Sequence, residues 1–257
     1  MVQWYKVVLY YLWIAPHALL VVVPVLMYTR RLHKSFPVFS LYTLYETLAF
    51  LFLFFHRDAA LAHTQKVLYR YVFIATLAGS AALRFGIIQE IFNDVFRDYP
   101  RLEAIASASM RWLTGALALA AILTAFYSSG SVPDNLMAGV ALLNRSVAII
   151  QAGLLVFLFL FSRTFGLSWR SFAFGIALGF GILASTDLAV WALRLTSANI
   201  PFVKSLNLLL TGSYHVSVLV WLGYLVAAEK PVVAASAATC PAPPEIDQWS
   251  GELERSR

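Results

Sequence analysis

Charged side chains are scarce in this chain: Asp, Glu, Lys and Arg make up 12% of its 257 residues, about half the share of an ordinary soluble domain. Cysteine is scarcer still. Cys240 stands alone, which excludes an internal disulfide and a multi-thiolate metal site. There is no GxxxxGK[ST] loop, no GxSxG elbow, no CxxC and no HExxH or HxxxH pair. P-loop phosphate binding, serine-elbow hydrolysis and zincin chemistry therefore have no motif to rest on. No lysine lies inside the last apolar run, Lys204 falling at its edge, so a retinal Schiff base has no amine there. The sequence carries no enzyme signature, and its metal content is left unknown.

Apolar residues are what fill the space. They form 60% of the chain, and the mean hydropathy is +0.74. Each crossing of a ~30 Å hydrocarbon layer takes about 20 such residues. The apolar runs predict seven transmembrane helices: Trp4–Tyr28, Pro37–His56, Val67–Phe92, Met110–Ser128, Leu136–Ser162, Ser171–Leu193 and Ser205–Ala228. The fold class is thus an all-α integral membrane bundle over residues 1–229. The first run exceeds the length of a signal-peptide core, and no small-residue cleavage site precedes Arg30 and Arg31, so it reads as a retained helix.

The net charge of +6 is not gathered into a nucleic-acid-binding patch; the basic residues punctuate helix ends. Arg30, Arg31, Lys34, Arg97, Arg101, Arg111, Arg163, Arg170 and Lys230 fall on one side of a seven-span chain. Lys6, Arg57, Lys66, Arg70, Arg194 and Lys204 fall on the other. The richer side is cytoplasmic by the positive-inside rule, giving the N-terminus outside and the C-terminus in the cytoplasm of a multi-pass cell-membrane (inner-membrane) protein. Trp4, Tyr5, Tyr127, Trp169, Trp221 and Tyr224 sit where interfacial aromatic belts form. Residues 230–257 change composition to Ala, Ser and Pro, a flexible cytoplasmic tail. Ile246, Trp249 and Leu253 share one face of a short amphipathic helix at 245–254, and Trp249 is the candidate anchor for a cytoplasmic partner.

Charges at membrane depth cost at least ~2.5 kcal/mol each, so each calls for a partner or a function. Glu46 in the second span and Arg84 in the third fall at similar depth, as do Arg145 in the fifth and Asp187 in the sixth. Two buried ion pairs are expected, Glu46–Arg84 and Arg145–Asp187, with Gln151 extending the polar surface. Each single neutralisation is then expected to cost more than the matching double one. Gln151 is six residues from Arg145 and faces another direction. Such pairs either lock helices together or line a ligand or proton pathway, and both readings stay open.

His17 and His215 lie near the middle of the first and seventh spans. Facing imidazoles of this kind hold a b-type haem; hydrogen-bonded core histidines or a ligand site are the other readings. Pro16 and Pro24 predict a kinked or locally unwound first helix. Glu90 and Asp94, one turn apart, read as a wetted helix end or a cation site. Gly175 and Gly179 make a GxxxG, for packing within the chain or for a homodimer face. Spans one to three and five to seven run in the same direction, which permits a 3+1+3 repeat. The expected function is a non-enzymatic sensor, receptor-like module or accessory subunit that signals through a cytoplasmic protein partner or a homo-oligomer. Small-solute transport is the alternative, and a haem-binding redox subunit a further one. No other cofactor and no nucleic acid is expected.

Overall fold

The long apolar runs of the sequence become long helices, because a backbone without water to bond must satisfy every N–H and C=O internally. The computed structural model describes residues 2–56, 66–96, 100–127, 131–161, 169–196 and 200–227. Among these are seven α-helices: α1 (Val2–Thr29), α2 (Pro37–Phe55), α3 (Lys66–Val95), α4 (Pro100–Tyr127), α5 (Val132–Phe161), α6 (Phe172–Thr196) and α7 (Ile200–Ala227). A 3-10 turn at Leu32–Lys34 joins α1 to α2. The described helices belong to one unit, Met1–Ala227. The tail with its expected helix at 245–254, and Trp249 with it, lies outside the described residues.

Six of the helices are long and apolar enough to cross a membrane. In α4 the apolar stretch is shorter, Trp112–Tyr127. The outward faces are apolar too. Leu41, Leu44, Leu48, Leu51 and Phe55 of α2 are all exposed at helical spacing, the reverse of a water-facing surface helix and the expected form of a lipid-facing one.

Each of α1, α2, α3, α5, α6 and α7 packs on the next, and α7 closes back on α1. Helix α4 stands apart, touching α3 and α5. Helices α3 and α5 run parallel. Arg70 meets Asp134 near their starts, Arg84 meets Gln151 midway, and Phe92 and Phe96 meet Phe157 near their ends. Helices α1 and α7 are likewise parallel: Tyr11 lies against His215, and Arg30 donates to the Val226 carbonyl at 3.0 Å. That last bond satisfies an orphan carbonyl at the end of α7.

Helix α1 continues unbroken through Pro16 and Pro24, so the local unwinding expected there does not occur. Neighbouring helices support a proline helix in an apolar layer. The chain reverses after α1 through Arg31, at φ 60°, the one described non-glycine residue in the left-handed region. Phe39, Tyr42, Phe172, Phe180 and Trp221 pack edge to face in the core between α2, α6 and α7. Trp221 is fully buried, and its indole N–H donates to the Ile176 carbonyl at 3.3 Å. Gly175 and Gly179 make the room: a Cβ on either would strike Tyr224 or Trp221 of α7. The GxxxG therefore serves contact within the chain.

Candidate functional site

The site begins with the way α2 is started. Phe36 occupies its N-cap position and offers no side-chain acceptor, while Pro37 follows at the first turn. The orphan N–H groups of that turn are taken by a residue of another helix. The Glu90 carboxylate of α3 accepts from the Val38 N–H at 2.8 Å and the Phe39 N–H at 3.0 Å. A carboxylate at a helix N-terminus is favoured by both the bonds and the helix dipole. Glu90 is thus a cap supplied by α3, both its oxygens accepting from α2, and it lines an open cleft with Asn93 and Asp94.

The cap ties the start of α2 to α3; along the same seam Val38 packs on Gly86, Tyr45 on Gly79, and Glu46 meets Ser80, one turn short of Arg84. The Ser80 hydroxyl donates to Glu46, and the Tyr45 hydroxyl donates to the Thr76 carbonyl at 3.1 Å. Arg84 turns the other way and donates through Nε and Nη2 to Gln151 Oε1 of α5, the first at 3.1 Å. The expected Glu46–Arg84 ion pair is therefore replaced by two charge-assisted bonds to neutral partners. An ion pair does form between Arg70 and Asp134, exposed side chains at the starts of α3 and α5.

Glu46 is the central residue of the 19-residue α2, ~14 Å from either end. It lines a cavity of about 280 Å³ between α1, α2 and α3, together with His17, Trp13, Phe50, Phe73 and Ser80. His17 is held on both counts that matter for an imidazole. Its Nδ1 bonds the Trp13 carbonyl at 2.8 Å, and since a carbonyl only accepts, Nδ1 carries the proton and Nε2 remains. Its ring stacks on Phe50 with centroids 3.8 Å apart and planes 14° from parallel. Tyr42 lies beside Glu46 and Ser80, and Tyr214 of α7 lies against His17, centroids 5.2 Å apart.

Behind the cavity, the polar set continues into the packed core. Gln151 is buried; its carbonyl holds Arg84 while its Nε2 has no hydrogen-bond partner, and the buried Tyr214 hydroxyl has none either. Arg84 also lies 5.9 Å from the Phe180 ring centre. One polar set thus joins α1 (His17), α2 (Tyr42, Glu46), α3 (Ser80, Arg84), α5 (Gln151) and α7 (Tyr214). Buried donors without partners are rare and mark places where polarity serves something besides stability.

The second expected ion pair is corrected as well. Arg145 packs its guanidinium over the Trp191 ring at 3.7 Å from the centroid, and Asp187, exposed and one turn before Trp191, forms no ion pair with it. Depth placed Arg145 and Asp187 near one level, but the indole face lies between α5 and α6 and the carboxylate does not. A double-mutant cycle of Arg145→Leu with Trp191→Leu is expected to show a coupling of about 1 kcal/mol. The matching cycle of Arg145→Leu with Asp187→Asn should show almost none, as read from unfolding in mild detergent. A larger coupling to Asp187 than to Trp191 would reverse this assignment.

His17 and His215 are not brought together. His17 lines the α1–α2–α3 cavity, whereas His215 lines a separate apolar groove between α1, α6 and α7. Ser80, Tyr42 and Tyr214 join the site without having stood out in the sequence, since one hydroxyl on an apolar helix has no periodic signature. The spacing of Ser80 and Arg84, i and i+4 on α3, is the signal that places both on one face. No protein family, curated protein or solved structure matches this chain.

Proposed function

We propose that the chain is a non-enzymatic, receptor-like sensor of the cell membrane that holds a small ligand in the α1–α2–α3 cavity. It crosses the membrane seven times, with the N-terminus outside and the tail in the cytoplasm. The observation that carries this reading is the pairing of an unpaired mid-helix carboxylate, open to a cavity, with a polar set reaching α5 and α7. Support for the orientation comes from the Lys and Arg bias of the loops and from the parallel course of α1 and α7, which suits an odd number of crossings.

In this reading the ligand competes for Glu46. Its arrival loosens the Glu46–Ser80 bond and shifts the balance between Arg84 held by Gln151 and Arg84 drawn to Glu46, altering how α3 sits on α5. A ligand acts only through such a difference in affinity for two arrangements. The change reaches a cytoplasmic protein partner through the α1–α2 turn and the tail, where Trp249 is the contact proposed.

The test is a cavity-filling variant. Native mass spectrometry of the protein released from lipid nanodiscs is expected to show a bound small molecule in the wild type. Ala49→Trp, whose indole fills the cavity from α2, is expected to lose it with the helix content unchanged. An empty wild type that responds to no added solute, or a ligand retained by Ala49→Trp, would remove the cavity from the account. Transport remains the second reading, favoured by the charge of Glu46 at the middle of α2. Solute flux into proteoliposomes abolished in Glu46→Gln would select it over sensing.

A further inference from the structure

The lining of the α1–α2–α3 cavity is one-sided in charge. Four aromatic rings form much of its wall: Trp13 on α1, Phe50 on α2, and Tyr69 and Phe73 on α3. Trp13 and Phe50 meet edge to face, centroids 5.4 Å apart. Among the described residues no lysine or arginine lines the cavity. Arg84, the nearest candidate, is turned away and held by Gln151 of α5.

Three donors of the lining are engaged within the chain, and the Trp13 indole N–H and the Tyr69 hydroxyl are two more that a ligand can use. Ser80 donates to Glu46, Thr76 to the Phe73 carbonyl at 2.7 Å, and His17 Nδ1–H to the Trp13 carbonyl. Beside those two donors, the lining offers a ligand the carboxylate of Glu46, a basic imidazole nitrogen and aromatic rings. Each of these three attracts positive charge, and none welcomes an anion. A carboxylate beneath an aromatic wall is the chemistry by which ammonium groups are held, the rings contributing through their quadrupoles and the carboxylate by direct charge. A site of about 280 Å³ lies at the small end of ligand pockets, which limits the guest to roughly ten non-hydrogen atoms.

We infer that the ligand of this cavity is a small organic cation, an amine or quaternary ammonium compound, held by Glu46 within the cage of Trp13, Phe50, Tyr69 and Phe73. This rests on the receptor-like reading of the same cavity and names the chemical class it takes. The charge requirement also accounts for the neutral partners of Glu46. Ser80 orients the carboxylate without cancelling its charge, so the cation completes an ion pair that the chain itself leaves open.

The experiment compares choline with 3,3-dimethylbutan-1-ol, which replaces the charged nitrogen by carbon at nearly equal shape. Binding to the full chain in lipid nanodiscs is followed by isothermal titration calorimetry. Choline is expected to bind saturably, at least tenfold tighter than the neutral alcohol. Glu46→Gln is expected to lose at least tenfold of the choline affinity while leaving the alcohol unchanged, and Glu46→Asp to lose less. Phe73→Leu, which keeps the apolar volume and removes one ring, is expected to weaken choline alone. Equal binding of both compounds, unaltered choline affinity in Glu46→Gln, or no choline binding would each overturn the cation assignment. A co-purified molecule that Ala49→Trp expels, in a protein indifferent to choline, would leave the receptor reading standing and the ligand class wrong.

Discussion

A Gly179→Val variant is expected to lose about 3 kcal/mol of stability, the upper part of the range for overpacking a tight core. Position 179 lies against the face of Trp221, which is wholly buried. A side chain there meets the rigid indole rather than the far end of a flexible chain, so either the ring must leave or α6 must move away from α7. Both responses break further contacts. The Ser217 hydroxyl donates to the Gly179 carbonyl at 2.8 Å, and the Trp221 N–H donates to the Ile176 carbonyl one turn earlier. Trp221→Leu alone should also destabilise, by less than the ~3–5 kcal/mol of a full truncation to alanine. In the Gly179→Val background, however, Trp221→Leu should recover part of the loss, because the valine then occupies space the ring gave up. Unfolding by titration with a denaturing detergent, followed by circular dichroism, measures all three. Additive losses in the double variant would show that the two residues do not share this space.

The second large effect is expected at Glu90. Glu90→Ala removes two charge-assisted hydrogen bonds from N–H groups at the start of α2, and bonds to charged groups contribute roughly 1.5–3 kcal/mol each. Water reaches part of this helix end through an open cleft beside Lys34 and Asn93 and replaces some of what is lost, so a net cost of about 2 kcal/mol is expected. Glu90→Gln keeps one acceptor oxygen without the charge and should fall between the wild type and alanine. The informative readout lies elsewhere. If the cap sets the register of α2 on α3, Glu90→Ala should also weaken ligand binding in the cavity, although Glu90 does not line it. A destabilised variant with wild-type affinity would confine Glu90 to capping.

Sequence reasoning stopped short where whole helices meet, once along the axis and once around it. Counting residues from a helix end estimates depth at ~1.5 Å per residue, and that count put Glu46 and Arg84 at one level. It assumed that α2 starts where α3 ends. Val38 instead packs on Gly86 and Tyr45 on Gly79, about one turn nearer the start of α3, and Glu46 meets Ser80. Around the helix axis the problem is different. Gln151 was legible as facing away from Arg145, and it does face α3 while Arg145 faces Trp191 of α6. Which neighbour stands on each side of α5 is not written in the spacing. A guanidinium accepts a carboxylate, an amide oxygen or an aromatic face, so the residue type left three outcomes open.

The apolar runs by themselves predicted an all-helical chain of seven spans; the described residues form seven α-helices, six of them long and apolar enough to cross a membrane. The helical class was legible because hydrocarbon leaves the backbone no partner but itself, a constraint local enough to read from composition and length. The runs also determined which polar residues stand inside those helices. The tertiary structure alone decided which of them meet: Glu46 with Ser80 beside a cavity, Arg84 with Gln151, Arg145 with Trp191, and the histidines apart. Those choices depend on the register and rotation of whole helices against one another, set by contacts such as Glu90 on α2 and Gly179 under Trp221. A displacement of one turn or a rotation of a third exchanges every partner while leaving each helix, taken alone, unchanged.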